Sequence, residues 1–250
     1  MKVTAIKTAK VTAGVVDIYG LLDASLDTLP EKSIVAISSK VVALCENTVV
    51  PLGDISREEL IVQEAEKYLP KEHSKYGHHF TIRDHTVIAS AGIDESNGDE
   101  HFVLWPRDAQ SSANSIRRHL SEHFSVHDVG VIIVDSTSQL MRRGTTGIAL
   151  AHSGFLALRD YRGEADLFGR EIHFGMANIS GGLAATAVLT MGEGAEQTPL
   201  CLIEDVLFVE FQRRDPNADE LAVMQIPLED DLFAPFLQSV PWENGTHRDN

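Results

Sequence analysis

The stretch VGVIIVD, residues 129–135, decides the fold class, because it is apolar at nearly every position and ends in an acid. A strand that is apolar on both faces is typical of the middle of a sheet covered by helices on both sides. Ligand sites in such sheets form beyond the ends of the central strands. Asp135, the last residue of the stretch, is therefore the first candidate for a functional side chain.

On both sides of this stretch, β-rich runs alternate with helical patterns. Val- and Ile-rich runs bounded by turn residues predict strands, and Ser56 before two glutamates marks the start of a helix. The order of these segments predicts an α+β fold with mixed sheets flanked by helices. Strands are predicted at residues 2–6, 33–50, 80–84, 85–93, 101–105, 129–135, 147–160 and 199–211, and helices at 17–29, 56–72, 111–124, 183–194 and 227–237.

The composition limits the kind of partner. The 250 residues carry 21 lysines and arginines against 37 aspartates and glutamates, a formal net charge of −16. Such a chain is unsuited to nucleic acid or an anionic membrane surface, although metal ions can join its carboxylates to the phosphates of a nucleotide. Cys45 and Cys201 lack CxxC spacing and are expected to be reduced thiols. With no signal-like segment and no apolar run long enough to span a membrane, we expect a cytoplasmic protein.

Three polar clusters interrupt the apolar runs and share one layout. Each follows an apolar segment and places an acid beside glycine or serine; they are AGIDESNGDE, IIVDSTSQLMRRG and TMGEGAEQTP. The acids are Asp94, Asp135 and Glu193, and oxygen ligands of this kind suit Mg²⁺ or Mn²⁺, with phosphates completing the shell. A lone aspartate after a strand more often caps a turn. Recurrence in three segments favours a site that holds two ions.

Two adjacent arginines follow Asp135 closely. Arg142 and Arg143 are candidates for binding an anionic group, because arginine can hold carboxylate or phosphate oxygens with two hydrogen bonds. The other arginine pairs, at 117–118 and 213–214, are expected to be surface charges on a helix and on the tail.

Histidines recur at a spacing that metal ligands also use, at His119, His123 and His127. We expect no metal there, because the helix should end near Ser125 and the histidines would lie on its polar face. The pair at 78–79 is expected to lie in a solvated loop. The sequence contains no GxGxxG, Walker A, GxSxG or HExxH pattern, so hydrolases that use serine, cysteine or zinc have no support.

A series of short motifs follows in a distinctive order, namely SSKVV, AGIDESN, SxxxIRR, VGVIIVDS, MRRG, GIAL, SGF, LRDYRG, DLFGRE and MGEG. In this order and spacing they resemble the coenzyme F-420 γ-glutamyl ligase (CofE-like) family, from about Val35 to Ile203. The segments AGIDESNG, LWPRD and GEGAEQTPL are more similar to a bacterial branch labelled as folate-metabolism γ-glutamate ligases. The resemblance implies the CofE-like fold and an intertwined homodimer.

The resemblance also implies an activity. Family enzymes use GTP and a divalent metal ion to join L-glutamate to an acidic acceptor through an acyl phosphate. For this chain the resemblance implies GTP or ATP, Mg²⁺ or Mn²⁺, and an acceptor like a coenzyme F-420 precursor or a folate. It implies metal ligands at Asp94, Asp135, Ser136 and Glu193, and two ions. It implies nucleotide contacts at Ser39, Lys40, Asn97, Met191, Gly192, Gly194 and Thr198, beside catalytic roles for Asp135, Arg142 and Arg143. An N-terminal loop, which residues 10–13 match poorly, also contributes in the family.

Three departures from the family pattern keep alternatives open. Leu44 replaces a common lysine, residues 180–182 read Ser-Gly-Gly where many members have Ala-Asp-Glu, and residues 138–139 read Ser-Gln rather than Gly-Arg. The alternatives are a non-catalytic nucleotide- or metal-binding relative and a metal-dependent phosphohydrolase that uses the same acids. For domains, we expect a ligase domain at 1–211 and a polar, partly docked tail at 212–250.

Overall fold

The secondary structure mixes helices and strands, so the predicted α+β class is confirmed. The structure is a computed structural model that describes residues 1–247. None of the helices in that range has the length and apolar composition needed to cross a bilayer. In chain order the elements are β1 (Lys2–Ile6), α1 (Ile18–Ser25), β2 (Ser33–Ser38), α2 (Ser39–Cys45), β3 (Val49–Pro51), α3 (Arg57–Glu64), β4 (Lys67–Leu69), β5 (Phe80–Arg83), β6 (Thr86–Ala89), β7 (His101–Val103), α4 (Ala109–Phe124), β8 (Val129–Ser138), β9 (Thr145–Ser153), β10 (Leu158–Asp160), β11 (Met176–Asn178), α5 (Ile179–Met191), β12 (Leu200–Glu204), α6 (Ala218–Ala222), α7 (Ala234–Leu237) and β13 (Glu243–Asn244).

The strand β8 lies inside the main sheet, whose five strands have the order β1-β12-β2-β8-β9. It runs parallel to β2, whereas the other three neighbouring pairs are antiparallel. Alternate residues of β8 enter different hydrophobic clusters. Val131 and Ile133 pack with α1, α2 and α4, while Ile132 and Val134 pack with α5. Helices therefore cover both faces, which confirms the prediction made from residues 129–135.

A smaller layer carries the segment that contains Asp94. It consists of a four-stranded sheet in the order β13-β4-β5-β6, the β3–β7 pair and α3. A capping box between Ser56 and Glu59 starts α3, as the sequence predicts. The two layers meet where Leu44 of α2 packs against Val103 of β7. Since Val103 also bridges to Asp94, the loop between β6 and β7 is held beside α2.

Five predicted elements differ from those observed. The strand predicted at 33–50 consists of β2, α2 and β3, because burial of Val41 and Val42 against α1 and the main sheet outweighs the β propensity of valine. The helix predicted at 56–72 ends at Glu64, since residues 67–69 pair with β5 instead. Of the strands predicted at 199–211, one forms, β12, and an isolated bridge then joins Phe211 to Phe155. The strand predicted at 147–160 is divided into β9 and β10, and of the helix predicted at 227–237 only Ala234–Leu237 is α-helical. The remaining predicted elements are present, most of them with shifted ends.

Ion pairs hold residues beyond 211 to the main layer. The Arg117 side chain is buried, not a surface charge as expected, because its guanidinium donates to Asp215 at 2.9 Å and to Ser153 at 3.1 Å. Arg213 pairs with Asp128, and β13 adds an antiparallel strand to β4. The division into residues 1–211 and a tail stays a prediction, and residues 248–250 of that tail lie outside the described range.

One edge of the main sheet collects several of the segments that the sequence singled out. Because β2 and β8 are parallel, Lys40, just after β2, and Asp135 of β8 come to the same edge. β12 is antiparallel to β2, so the turn that precedes it, residues 192–199, reaches this edge too. The end of β1 pairs with the start of β12 and brings in residues 8–11.

Candidate functional site

A cavity of about 440 Å³ opens at this edge of the main sheet. Its walls come from the loop after β1, the start of α2, the β6–β7 loop, the end of β8 and the α5–β12 turn. The predicted site residues that line it are Lys40, Asp94, Asn97, Asp135, Ser136, Met191, Gly192, Glu193, Gly194 and Thr198. Side chains that lie far apart in the sequence therefore share one cavity.

Asp135 is held by two donors on the inner wall of the cavity. The indole Nε1–H of Trp105 donates to Asp135 Oδ2, and the backbone N–H of Ser136 donates to Oδ1 at 2.8 Å. Burial raises the pKa of Asp135 to about 6, although both donors and the Lys40 ammonium favour its charged form. A desolvated carboxylate with so few neutralising neighbours favours a bound cation.

The backbone of Gly92 makes room for this arrangement. Gly92 has a φ of +72°, in the left-handed region, and a Cβ placed there would lie 2.3 Å from the Nε1 atom of Trp105. Any larger residue would displace the indole that donates to Asp135. The pattern AGIDESN thus has a structural basis in its glycine as well as in its acid.

Lys40 and Asp94 form an ion pair at the cavity wall. The Lys40 Nζ lies 2.6 Å from Asp94 Oδ2 and donates to the carbonyl of Ser96 at 2.8 Å. Ser96 donates to Asp94 through its N–H at 2.7 Å and its hydroxyl at 2.9 Å. Burial by itself would raise the pKa of Asp94, but Lys40 and Ser96 outweigh it and hold that pKa below its ordinary value.

Glu193 faces the end of β8. It accepts hydrogen bonds from the hydroxyls of Ser136 and Thr145, each at 3.2 Å. This contact brings the third predicted acid next to the predicted hydroxyl ligand, Ser136. The short side chains of serine and threonine allow the carboxylate to approach the strand backbone, and all the groups involved offer oxygen atoms.

The turn around Glu193 is shaped by hydrogen bonds of its own. Asn97 donates from Nδ2 to the carbonyl of Gly194 at 3.2 Å, which links the β6–β7 loop to this turn. Glu196 accepts from the N–H of Gly194 at 2.8 Å, and the Thr198 hydroxyl donates to the Met191 carbonyl at 2.6 Å. The predicted nucleotide contacts in residues 191–198 therefore form one ordered turn.

Three predicted residues do not line the cavity. Ser39 is buried as the first residue of α2. Arg142 and Arg143 are exposed in the turn between β8 and β9, where Arg142 donates to the carbonyl of Met141. Their proposed roles stay predictions.

Several lining residues were not named individually from the sequence, although two of them, Glu196 and Gln197, lie in the predicted turn 191–198. Thr8 and Gln197 bind each other, with the Gln197 amide donating to the Thr8 carbonyl at 2.7 Å. Asp99 and Glu196 add further carboxylates. Trp105, which holds Asp135, had a signal in the segment LWPRD, since a buried indole N–H needs an acceptor.

The three departures from the family pattern lie in different places. Ser138 ends β8 and Gln139 follows it, and neither lines the cavity. Leu44 is buried and lines the cavity, so an apolar side chain stands at the position where the family resemblance implies a lysine. Residues 180–182 form the first turn of α5 and do not line the cavity. The helix has 13 residues, so its two ends are ~18 Å apart. Changes in this turn therefore do not alter the cavity wall directly.

The donor set fits hard divalent cations. Asp94, Asp135, Ser136 and Glu193 offer carboxylate and hydroxyl oxygens, and no histidine or cysteine among residues 1–247 lines the same cavity. Mg²⁺ and Mn²⁺ prefer such oxygens. With acids in excess of lysines, the cavity would repel a polyphosphate unless cations accompany it.

A larger and more open cavity of about 590 Å³ lies on the surface by α3 and β4. It is lined by Glu58, Tyr68, His79 and Glu243 among others, and by none of the residues predicted from the sequence. It lacks a turn of glycines and the convergence of strand ends. The cavity at the sheet edge is therefore the candidate active site.

Comparison with known proteins identifies the family of the chain. The family model described as F420-0:Gamma-glutamyl ligase matches residues 5–205. A coenzyme F420:L-glutamate ligase of Methanopyrus kandleri is 33% identical over 223 residues, which cover 81% of this chain and 86% of that protein. The protein of the same name from Methanococcus maripaludis strain C7 is 34% identical over 193 residues, covering 71% and 77%. That from Methanocaldococcus jannaschii is 38% identical over 168 residues, covering 65% and 64%.

Proposed function

The chain belongs to the F420-0:gamma-glutamyl ligase family and is an amide-forming ligase, and on this premise we propose that it joins L-glutamate to an acidic acceptor at the expense of GTP or ATP. The observation that carries the proposal is the meeting of Lys40, Asp94, Asp135 and Glu193 with the turn 191–198 in one cavity. Such a combination of acids, ammonium groups and glycine-rich backbone suits a polyphosphate and its counter-ions.

The metal ligands we propose are Asp94, Asp135, Ser136 and Glu193, which would hold two Mg²⁺ or Mn²⁺ ions. When bound, such ions would offset the charge of the phosphates during group transfer. The 3.2 Å contact between Ser136 and Glu193 and the poorly neutralised Asp135 support this assignment.

Lys40 is proposed to bind the phosphates. In the structure its ammonium is 2.6 Å from Asp94, so the same group can pair with this carboxylate or with a phosphate oxygen. Asn97, Met191, Gly192, Gly194 and Thr198 are proposed to contact the nucleotide, while buried Ser39 would support the first turn of α2. Arg142 and Arg143 are proposed to bind an anionic group from the exposed β8–β9 turn.

The chemistry follows from the weakness of a carboxylate as an acylating agent. An acceptor carboxylate oxygen attacks the γ-phosphorus, the bond to the β-phosphate oxygen breaks, and a nucleoside diphosphate leaves. The neutral amine of glutamate then attacks the acyl phosphate, phosphate leaves, and the amine loses a proton. No side chain has to act as a covalent nucleophile, and the protein contributes orientation and charge.

The acceptor class we propose is a coenzyme F-420 precursor or a folate-like acid, as in the bacterial branch that the sequence resembles. We further propose an intertwined homodimer, a ligase domain at residues 1–211 and a tail at 212–250. The apolar Leu44 on the cavity wall supports a substrate preference that differs from that of the relatives.

The test is nucleotide turnover with GTP or ATP, and with Mg²⁺ or Mn²⁺, across a panel of acceptor acids with and without L-glutamate. Mass spectrometry should show an acceptor that gains one glutamyl residue. Asp135→Asn should abolish this turnover, whereas Asp54→Asn, on the exposed surface away from the cavity, should keep it.

Three results are distinguishable. Turnover that needs glutamate supports the ligase. Turnover that ignores glutamate indicates a phosphohydrolase, and nucleotide binding without turnover indicates a non-catalytic relative; either overturns the proposed activity.

A further inference from the structure

A cluster of two histidines and one aspartate lies between α1 and α4, away from the ligase cavity. His119 and His123 belong to α4, and Asp23 belongs to α1. The Nε2 of His119 is 2.7 Å from one carboxylate oxygen of Asp23, and the Nδ1 of His123 is 3.4 Å from the other. Asp23 therefore faces both imidazoles at once.

The spacing of the donors suits a single ion. One ligand atom from each residue lies within 4.8 Å of the other two. The imidazole rings have their centroids 5.6 Å apart, with 32° between their planes, as histidines one helical turn apart on the same face can arrange themselves. The side chains are 26%, 43% and 31% exposed for His119, His123 and Asp23, so an ion could reach them from solvent.

The histidine spacing alone did not identify this cluster. His127 lies beyond the end of α4, which stops at Phe124 as the sequence indicated, and it does not take part. The third ligand comes from another helix, 96 residues earlier in the chain. The sequence around the histidines predicts a solvated helix face, and the fold adds the carboxylate of Asp23 to it.

We propose that Asp23, His119 and His123 bind one divalent transition metal ion of the zinc class. Two imidazole nitrogens and one carboxylate oxygen suit Zn²⁺, Co²⁺, Ni²⁺ or Cu²⁺ rather than Mg²⁺ or Ca²⁺. The ligase cavity offers oxygen ligands, so the two sites differ in the metal they favour. One or more coordination positions of the ion remain open to water.

The site would join two helices that pack on the same face of the main sheet. α1 follows the segment that supplies residues 8–11 to the ligase cavity. Side chains of α1 and α4 belong to one hydrophobic cluster on this face of the sheet. A bound ion would thus tie the N-terminal segment to α4. It would raise the melting temperature, because the folded chain presents the three ligands together and the unfolded chain does not.

The experiment titrates the full chain, freed of metal by chelation, with Co²⁺ and with Zn²⁺. Co²⁺ should give the visible ligand-field bands of a four- or five-coordinate ion, and calorimetry should give one Zn²⁺ per chain from this site. The variant H119Q/H123Q should lower the affinity by more than roughly tenfold, since even the loss of a group that only supports a ligand costs that much. D23N, which keeps the shape of the side chain, should weaken binding in the same direction.

A matched control separates this site from the ligase cavity. The variant D94N/D135N removes two carboxylates from the cavity and should keep the Co²⁺ bands and the rise in melting temperature with Zn²⁺. Circular dichroism without metal checks that each variant is folded. Equal Zn²⁺ affinity in H119Q/H123Q and the unmodified chain, or binding lost in D94N/D135N alone, would overturn the proposal. So would the absence of any bound ion at micromolar metal, which would leave Asp23 as a hydrogen-bonding partner of the histidines.

Discussion

Replacing Gly92 by alanine should weaken folding through a clash with Trp105 and through strain in the backbone of residue 92. The added Cβ would lie 2.3, 2.4 and 2.9 Å from the Nε1, Cε2 and Cδ1 atoms of the indole. The φ of +72° is also strained for a residue with a side chain, at about 1–2 kcal/mol. Overpacking adds about 1–3 kcal/mol, so G92A should lower the free energy of unfolding by about 2–5 kcal/mol.

Gly77 provides the matched control. Its φ is +68°, close to that of Gly92, but no atom lies within 4 Å of an added Cβ. G77A should therefore show the backbone strain alone, about 1–2 kcal/mol. Urea denaturation followed by far-UV circular dichroism measures both variants without depending on tryptophan fluorescence.

A second substitution isolates the contact. In a Trp105→Leu background the indole is gone, so the penalty of G92A should shrink by about 1–3 kcal/mol in a double-mutant cycle. A loss of unfolding free energy in G92A no larger than in G77A, or one that is the same with and without the indole, would refute the clash with Trp105. Under the proposed function, G92A should also lower turnover, because the displaced indole can no longer donate to Asp135.

Three further predictions concern other parts of the molecule. Burial lowers the pKa of His152 to about 4 from 6.5, so the unfolded chain takes up the proton first as pH falls. The stability that comes from keeping His152 neutral is fully present above pH 6.5 and is lost as the pH falls towards 4. Between pH 7 and pH 5 the free energy of unfolding should fall by about 2 kcal/mol through this group. H152F should remove that part of the pH dependence of urea unfolding, while H173Q, at an exposed site, should not. Asp215→Asn leaves the buried Arg117 without its charge partner and should lower the free energy of unfolding by roughly 1–3 kcal/mol in the same assay. This is less than for a fully buried pair, because Asp215 is 33% exposed. An unchanged urea midpoint would contradict the role of this pair in holding the tail. Leu44→Lys adds an ammonium to the cavity wall and should strengthen GTP binding, measured by calorimetry, roughly tenfold. Leu44→Met, the control, should not strengthen it. Equal GTP affinities in the two variants would show that this position does not contact phosphate.

Much of the fold could be predicted because the decisive pattern is local. The run at 129–135 is apolar on both faces, and burial of alternate residues in two clusters follows directly from the period of a strand. The segment at 33–50 shows where this reasoning fails. Its valines favour a strand by propensity, yet Val41 and Val42 are helical because α1 and the main sheet provide an apolar surface for them. That surface comes from parts of the chain that no local window contains.

The candidate site shows the same division. Asp94, Asp135 and Glu193 could be selected from the sequence, since each acid interrupts an apolar run beside small residues. Their meeting in one cavity could not be derived from those windows, because it depends on β2 and β8 being parallel neighbours and on β12 running antiparallel beside them.

What the sequence determined by itself is the α+β class, the central strand, most helices and strands, and the acids and glycines of the site. These depend on local periodicity, capping and turn chemistry, and the family follows from the order of short motifs. Only the tertiary structure decided that Trp105 holds Asp135, that Lys40 pairs with Asp94, that Arg117 is buried, and that Asp23 faces two histidines. Each of these contacts joins side chains at least 30 residues apart. Such contacts depend on how the layers pack, and no short segment of the chain encodes that packing alone.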